Sequence, residues 1–130
     1  MRNAFTLTEL LVVLIVIGII SSITLIDFSG RIEQFKGREA ETTLLLINNA
    51  QKRRKMVTGQ YFTCAPNCDI QSINENLTLD IQGDFYFTYS IETFDDGFRT
   101  IATRKDGYCA DKKMISTYRN NAISKECAKW

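Results

Sequence analysis

The chain has 130 residues, which suits one domain with at most one extended element. Its 16 lysines and arginines nearly balance its 15 aspartates and glutamates, so the net charge indicates neither an acidic nor a basic partner. The absence of histidine removes the commonest general base and the commonest zinc ligand.

The first predicted element is a membrane-spanning helix at residues 5–26. Glu9 is the only ionisable residue in this segment, and an unbroken apolar run extends from Leu10 to Ile20. As an α-helix the segment would be about 33 Å long, close to the roughly 30 Å hydrocarbon core of a bilayer. Apolar residues fall on every face of the helix and not on one stripe, which favours a membrane helix over a buried core helix.

A short positive segment, residues 1–4, precedes this run. A cleaved secretory signal has an apolar run of about 7–15 residues followed by a small-residue cleavage site. Here the run is longer and the small residue Ala4 comes before it, so we expect the apolar segment to remain in the mature protein. Arg2 favours an N-terminus in the cytoplasm, with everything after residue 26 outside it.

The start of the apolar run resembles a known processing signal. It reads Ala4-Phe5-Thr6-Leu7-Thr8-Glu9-Leu10-Leu11-Val12-Val13. This segment resembles the class III signal of type IV pilins and of type II secretion pseudopilins, although those families usually have glycine at the position of Ala4. The resemblance implies that a prepilin peptidase cleaves between Ala4 and Phe5 and methylates the new amine of Phe5.

The resemblance also implies roles for Glu9 and Gly18. A carboxylate in a membrane segment is costly and usually marks function. In these families the glutamate pairs with the freed amine of a neighbouring subunit's first residue, here Phe5, and this pair sets the axial register of the filament. The alternative is that Glu9 only reaches the polar headgroups. Gly18 lies where many pilins have a glycine that lets the helix loosen, so helix flexibility is its predicted role.

The second half of the predicted helix covers residues 27–58. Apolar positions recur with helical spacing from Phe28 to Ala50, while charged residues lie mostly elsewhere. Gly59 is a predicted stop signal. The sequence thus predicts one helix of about 50 residues, whose second half packs under a head domain at residues 59–130.

A dense basic run lies near the end of this helix. Its members are Lys52, Arg53, Arg54 and Lys55. One interpretation is contact with nucleic acid, for example during DNA uptake. The other is a solvated helix end, where cations suit the C-terminal dipole. The second is favoured, because four consecutive residues wrap most of the way around a helix and do not form one stripe.

The head is predicted to be rich in β-structure. Apolar and polar residues alternate from Phe85 to Glu92, which indicates a half-buried strand. Turns at 95–97 and 106–107 separate it from further strands at 98–104 and 113–118. A three- or four-stranded antiparallel meander packed on the helix fits, because a small sheet is not stable alone. The predicted class is α+β, and the layout resembles the pilin fold.

Four cysteines lie in the head, which is expected to fold where disulfides form. They are Cys64, Cys68, Cys109 and Cys127. Three pairings are open; we favour Cys64–Cys68, which closes a tight loop, and Cys109–Cys127, which ties the last residues to the turn before the last strand. Zinc is disfavoured, because paired C-x-x-C knuckles are absent.

Three aspartates could hold calcium, as in some pseudopilins. They are Asp95, Asp96 and Asp106. The spacing of an EF-hand is absent, and Asp-Gly turns need no ion. We therefore predict no metal and no cofactor. No nucleophile elbow, phosphate loop or zinc-protease motif occurs, so we predict no catalytic residues.

The sequence therefore predicts a structural filament subunit and not an enzyme. By resemblance, it is anchored in the bacterial inner membrane and then enters a pilus or a periplasmic pseudopilus. The implied partners are other pilin subunits, a prepilin peptidase, an inner-membrane assembly platform and membrane lipid. The alternatives are a secretion pseudopilin, a minor pilin for DNA uptake or adhesion, and a membrane-anchored protein that never polymerises.

Overall fold

The computed structural model describes residues 5–24, 28–82, 86–119 and 121–130. The chain divides into two compact units, Met1–Ile32 and Glu33–Trp130. The first unit contains helix α1, and the second contains a β-sheet. Helix α2 begins in the first unit and supplies one side of the core of the second.

Helix α1 runs from Leu7 to Thr24. Its first turn is closed by Thr6, whose carbonyl accepts from the amides of Glu9 at 3.1 Å and Leu10 at 3.3 Å. The hydroxyl of Thr6 also accepts from the Glu9 amide at 3.4 Å, the position of an N-cap. The apolar side chains from Leu7 to Ile20 are exposed. Among the described residues, no helix combines the length and the apolar character needed to cross a membrane.

Helix α2 runs from Phe28 to Thr58 and ends, as predicted, at Gly59. Gly59 has a φ of +76°, and its amide donates to the Lys55 carbonyl at 3.0 Å. Glycine adopts this left-handed geometry without steric cost, which is why it ends helices. The predicted continuity between the two halves of the helix falls on residues 25–27, which lie outside the described residues.

A five-stranded antiparallel sheet follows, in the order β1-β2-β3-β4-β5. Its strands are β1 (Cys64–Cys68), β2 (Phe87–Phe94), β3 (Gly97–Arg104), β4 (Lys113–Thr117) and β5 (Ile123–Lys125). Helix α3 (Ile70–Leu77) connects β1 to β2. The predicted α+β class is confirmed, and this layout matches the pilin fold.

The three predicted strands correspond to β2, β3 and β4. The predicted turn joins β2 to β3, with Phe94 paired to Gly97. The expected three or four strands are too few, because two edge strands give weak sequence signals. Strand β1 contains Pro66 and has no alternation, and β5 has three residues. Phe85, predicted to begin the first strand, lies outside the described residues.

Helix α3 was not predicted, although its apolar residues are spaced for a helix. They are Ile70, Ile73 and Leu77, of which the last two are buried. The helix has 8 residues, and so short a helix is stable only when its apolar face packs on a core.

The core of the second unit lies between α2 and the sheet. Buried positions on α2 recur three and four residues apart, as expected for one helix face; they include Gly37, Ala40, Leu44, Ile47 and Gln51. Alternate residues of β2 face the buried side of α2; they are Phe87, Tyr89 and Ile91. Burying each large apolar side chain contributes about 1.5–3 kcal/mol.

Two buried amides on α2 fix its position on the head. The side chain of Asn48 donates to the Ser116 hydroxyl at 2.5 Å and accepts from the Thr100 hydroxyl at 2.8 Å. Gln51 donates to the Phe62 carbonyl at 2.5 Å and accepts from the Phe62 amide at 2.9 Å. A buried polar group left unpaired costs about 1–3 kcal/mol, so these bonds select one register of the helix against the sheet.

The structure contains both disulfides that the sequence analysis favoured. Cys64 and Cys68 join the two ends of β1, with their Cα atoms 5.5 Å apart. Cys109 and Cys127 join the loop before β4 to the residues after β5, with a Cα separation of 5.9 Å. In the chain-entropy model the longer loop contributes roughly 3 kcal/mol of stability.

Candidate functional site

The predicted processing site lies just before α1. Ala4 is outside the described residues. The Phe5 side chain is 74% exposed, and Glu9 is exposed in the first turn of α1, where the helix dipole favours a carboxylate. In the uncleaved chain the nitrogen of Phe5 belongs to a peptide bond and carries no charge. The predicted pairing of a Phe5 amine with Glu9 therefore requires cleavage first.

Gly18 lies within α1, which continues through it without a break. A methyl group added at this glycine would meet no atom within 4 Å. Packing within the described chain therefore does not require glycine here, although glycine costs a helix about 1 kcal/mol relative to alanine. Its predicted role in helix flexibility stays a prediction.

The side of α2 that faces away from the sheet carries exposed residues, both apolar and polar. Within the second unit they include the apolar Phe35 and Leu46 and the polar Glu39 and Thr42. They recur four, three and four positions apart, so they form one line along the helix. A depression of about 410 Å³ lies beside Phe35 and Thr42. This line lies opposite the helix face that is buried against the sheet.

Both lysines of the predicted basic run contact the head. Lys52 donates to the Asn121 side-chain oxygen at 3.0 Å, and its Nζ lies 5.8 Å from the centre of the Tyr118 ring. The Nζ of Lys55 lies 5.0 Å from the centre of the Tyr61 ring. Cations at these distances are attracted to the ring faces by about 0.5–1 kcal/mol at exposed sites.

The two arginines of the run cap helix α3. Arg53 donates to the Leu77 carbonyl at 3.3 Å, and Arg54 donates to the Asn76 carbonyl at 2.6 Å. The last carbonyls of a helix lack partners within it and carry partial negative charge. The run thus has a structural task in the head, and its predicted nucleic-acid contact stays a prediction.

A buried ion pair joins α2 to the end of β3. The Nε of Arg104 donates to a Glu33 carboxylate oxygen at 2.9 Å, and its side chain is 1% exposed. Arg104 also donates to the Tyr86 carbonyl and to the Asp106 carboxylate, both at 2.9 Å. The hydrogen bond from Arg104 lowers the pKa of Glu33 below its usual value, against the opposing effect of burial.

Sequence analysis did not predict this pair, because its members lie 71 positions apart. The only sequence signal is a glutamate one helical turn before the small residues Gly37 and Ala40, on the same face of α2. Such a residue is seldom buried without a partner, so its position indicates that a cation lies opposite.

The three aspartates considered for calcium do not form a shared site. Asp95 and Asp96 lie in the turn between β2 and β3, whereas Asp106 pairs with Arg104. Within the described ranges, no group of three or more histidine, cysteine, aspartate or glutamate residues could hold a metal ion.

Residues 1–25 match the sequence model of a protein family described as the prokaryotic N-terminal methylation motif. This is a prepilin-type signal. The prepilin-type signal covers residues 1–4, the predicted leader peptide before the cleavage site, together with Phe5, Glu9 and Gly18, and it supports a type IV pilin-like or pseudopilin subunit. It suggests a structural subunit and not an enzyme, with anchoring in the inner membrane before assembly. No curated protein and no solved structure matches the chain significantly.

Proposed function

We propose that the protein is a structural subunit of a type IV pilus or a related filament, held in the bacterial inner membrane before assembly. The observation that carries this proposal is the methylation motif at residues 1–25. The motif continues into α1, whose apolar side chains are exposed along its length. The activity of the protein is then assembly with other subunits.

The apolar side chains of α1 need apolar surroundings. The exposed residues include Leu10, Leu11, Val12, Val13, Leu14, Ile15, Val16, Ile17, Ile19 and Ile20. Moving each from water into an apolar environment contributes about 1.5–3 kcal/mol. Before assembly, membrane lipid supplies this environment, with the N-terminus in the cytoplasm and the head outside. In the filament, helices of other subunits replace the lipid.

Processing prepares the chain for assembly. A prepilin peptidase cleaves between Ala4 and Phe5, and the freed amine of Phe5 carries a positive charge. In the apolar interior of a filament this amine pairs with Glu9 of a neighbouring subunit, because each charge offsets the desolvation of the other. One such pair per subunit sets the axial register. Contacts between different surfaces of successive subunits build an open helical polymer.

The exposed line of Phe35, Glu39, Thr42 and Leu46 on α2 offers a second contact surface, within the second unit. Phe35 and Leu46 expose apolar groups that the head does not cover. Glu39 and Thr42 lie between them on the same line. Two polar positions between two apolar ones suit contact with another protein surface better than contact with lipid. We propose other pilin subunits and the inner-membrane assembly platform as the partners of the chain.

Intact-mass measurement and N-terminal sequencing of the protein from its native membrane test the processing step. We expect a chain that begins at N-methylated Phe5, and in cells without the peptidase we expect the full chain from Met1. A chain that still begins at Met1 in cells with an active peptidase would contradict the proposal.

The assembly step is tested by Glu9→Gln, with Glu75→Gln on the exposed side of α3 as the matched control. Loss of one member of a buried ion pair costs about 3–5 kcal/mol, so Glu9→Gln should leave less than about one tenth of the filaments sheared from wild-type cells. Glu75→Gln should leave their amount unchanged. Equal amounts of filament from both variants would show that Glu9 has no part in assembly.

The location of the polymer distinguishes the two related systems. Filaments recovered from outside the cell indicate a pilus, and polymers confined to the periplasm indicate a secretion pseudopilus. Immunogold labelling of intact and of permeabilised cells separates these cases. Labelling along the whole filament marks a major subunit, and sparse labelling marks a minor one.

A further inference from the structure

An open cleft lies at the end of the sheet where β2 turns into β3. Its volume is about 430 Å³, within the range of roughly 300–1,000 Å³ typical of small-molecule sites. Its lining includes Phe94, Asp96, Gly97, Arg99, Tyr118 and Arg119. We call it the hairpin cleft. Neither the prepilin-type signal nor the apolar surface of α1 and α2 accounts for it.

Two aromatic rings form the apolar part of the hairpin cleft. The side chain of Phe94 is 56% exposed and that of Tyr118 is 37% exposed. Tyr118 is held by Phe98, whose ring centre is 5.7 Å away. Phe94 ends β2, and a phenylalanine at such an exposed position gives the fold little burial. An exposed phenylalanine ring beside a tyrosine, whose ring is apolar and whose hydroxyl is polar, suits a ligand that has both an apolar face and polar groups.

Gly97 lets Tyr118 lie directly against the floor of the cleft. A Cβ atom there would lie 3.1 Å from both the Cβ and the Cδ1 of Tyr118. Any side chain at this position would therefore push Tyr118 aside and change the shape of the cleft. The φ of Gly97 is not in the left-handed region, so the backbone does not demand glycine. The close approach of Tyr118 is the reason that the structure gives for a glycine here.

The rim of the cleft carries both positively and negatively charged side chains. Arg99 is paired with Glu92 through its Nε at 3.1 Å and its Nη2 at 2.5 Å. Asp96 and Arg119 form no ion pair with any residue that the structure describes. The net charge of these groups is close to zero. A nucleic acid requires an excess of cations, so the charge balance disfavours a polyanion.

We propose that the hairpin cleft binds a neutral pyranose sugar. Such a ring has an apolar C–H face, which fits the face of Phe94 opposite the Arg99 guanidinium, whose carbon lies 5.5 Å from the ring centre, and the exposed part of the Tyr118 ring. Its hydroxyl groups both donate and accept hydrogen bonds. The Asp96 carboxylate can accept from neighbouring hydroxyls, and the Arg119 guanidinium can donate to them. This binding function belongs to the head and does not depend on filament assembly.

Saturation-transfer NMR on the full chain tests the proposal. The chain is held in a detergent without a sugar headgroup, and the probes are maltose, lactose and methyl α-mannopyranoside, each at about 10 mM. We expect transfer to at least one probe. Phe94→Ala should weaken binding of that probe about tenfold or more, and Asp96→Asn by about threefold. Tyr108→Ala, which removes a 79% exposed aromatic ring in the loop before β4, is the matched control and should bind like the wild type.

Three results would overturn the proposal. The first is no transfer to any of the three sugars in a wild-type chain whose Trp130 fluorescence shows a folded head. The second is equal binding by wild type and Phe94→Ala. Displacement of bound sugar by an oligothymidine would also contradict it, because a polyanion would then share the cleft. Phe94 and Asp96 are exposed, so their substitution leaves the core of the head intact.

Discussion

Helix α1 and the sheet-facing side of α2 contain the same kinds of apolar residue but bury them in different ways. Leu14 of α1 is 64% exposed, whereas Leu44 of α2 is fully buried. The head obtains its apolar burial from its own chain, because α2 packs on the sheet. The apolar surface of α1 is available for lipid or for other subunits. Folding and assembly are therefore separable, and substitutions in the two regions should affect different measurements.

The largest expected effect on folding comes from the buried ion pair. Glu33→Ala leaves Arg104 charged, buried and without its main partner, so we expect the free energy of unfolding to fall by about 3–5 kcal/mol. Urea denaturation of the full chain, followed by the fluorescence of the single tryptophan, measures it. The control is Glu92→Ala, which removes the exposed partner of Arg99 and should cost less than about 1 kcal/mol. Equal losses would contradict the assigned burial.

A matched pair of leucines tests the comparison directly. Leu44→Ala should lower the free energy of unfolding of the head by about 2–5 kcal/mol, because it leaves a cavity in the core. Leu14→Ala should change this quantity by less than about 0.5 kcal/mol and should reduce the amount of filament instead. Denaturation and filament yield are measured on both variants. A head destabilised by Leu14→Ala would show that the two regions are not separable.

Substituting two glycines by alanine should have smaller effects, which are destabilising at Gly37 and stabilising at Gly18. At Gly37 an added Cβ would lie 2.6 Å from the Trp130 ring, so Gly37→Ala should destabilise the head by about 1–3 kcal/mol through overpacking. At Gly18 an added Cβ would meet no atom within 4 Å. Gly18→Ala should therefore stabilise the helical form of α1 by about 1 kcal/mol and leave the free energy of unfolding of the head unchanged. Circular dichroism and denaturation distinguish them. A head stabilised by Gly37→Ala would contradict the close approach of Trp130.

The smallest expected effect is on pH dependence. The bond to Arg104 lowers the pKa of Glu33 below 4.5 in the folded chain, so the unfolded chain binds the proton more tightly. The ion pair therefore contributes its stability above pH 4.5 and loses it as the pH falls through the lowered pKa. Denaturation curves from pH 7 to pH 3 should converge for wild type and Glu33→Gln. Parallel curves over that range would contradict the lowered pKa.

Local patterns in the sequence were sufficient for much of the fold. The stop at Gly59 followed from glycine chemistry, and the strand β2 followed from the alternation around Tyr89. The turn after Phe94 followed from its two aspartates and Gly97. These features depend on neighbouring residues, and so the sequence contains the information locally. Helix α3 and the edge strands are short, and their stability comes from packing against residues far along the chain.

In the candidate functional site, too, some residues could be identified from the sequence, whereas their contacts could not. The prepilin-type signal is a continuous segment, so Phe5, Glu9 and Gly18 could be identified from the order of residues. The basic run was also visible, but its partners were not. Arg53 and Arg54 meet the end of α3, an element that the sequence analysis did not predict.

The sequence by itself determined that the chain carries a prepilin-type signal, an apolar first helix and a β-rich head, because each depends on adjacent residues and their period. Only the tertiary structure decided which side of α2 is buried, that Glu33 pairs with Arg104, and that Phe94 and Tyr118 flank an open cleft. Those facts depend on contacts between residues distant in the chain. Such contacts form only when the sheet packs on the helix, and no local pattern specifies them.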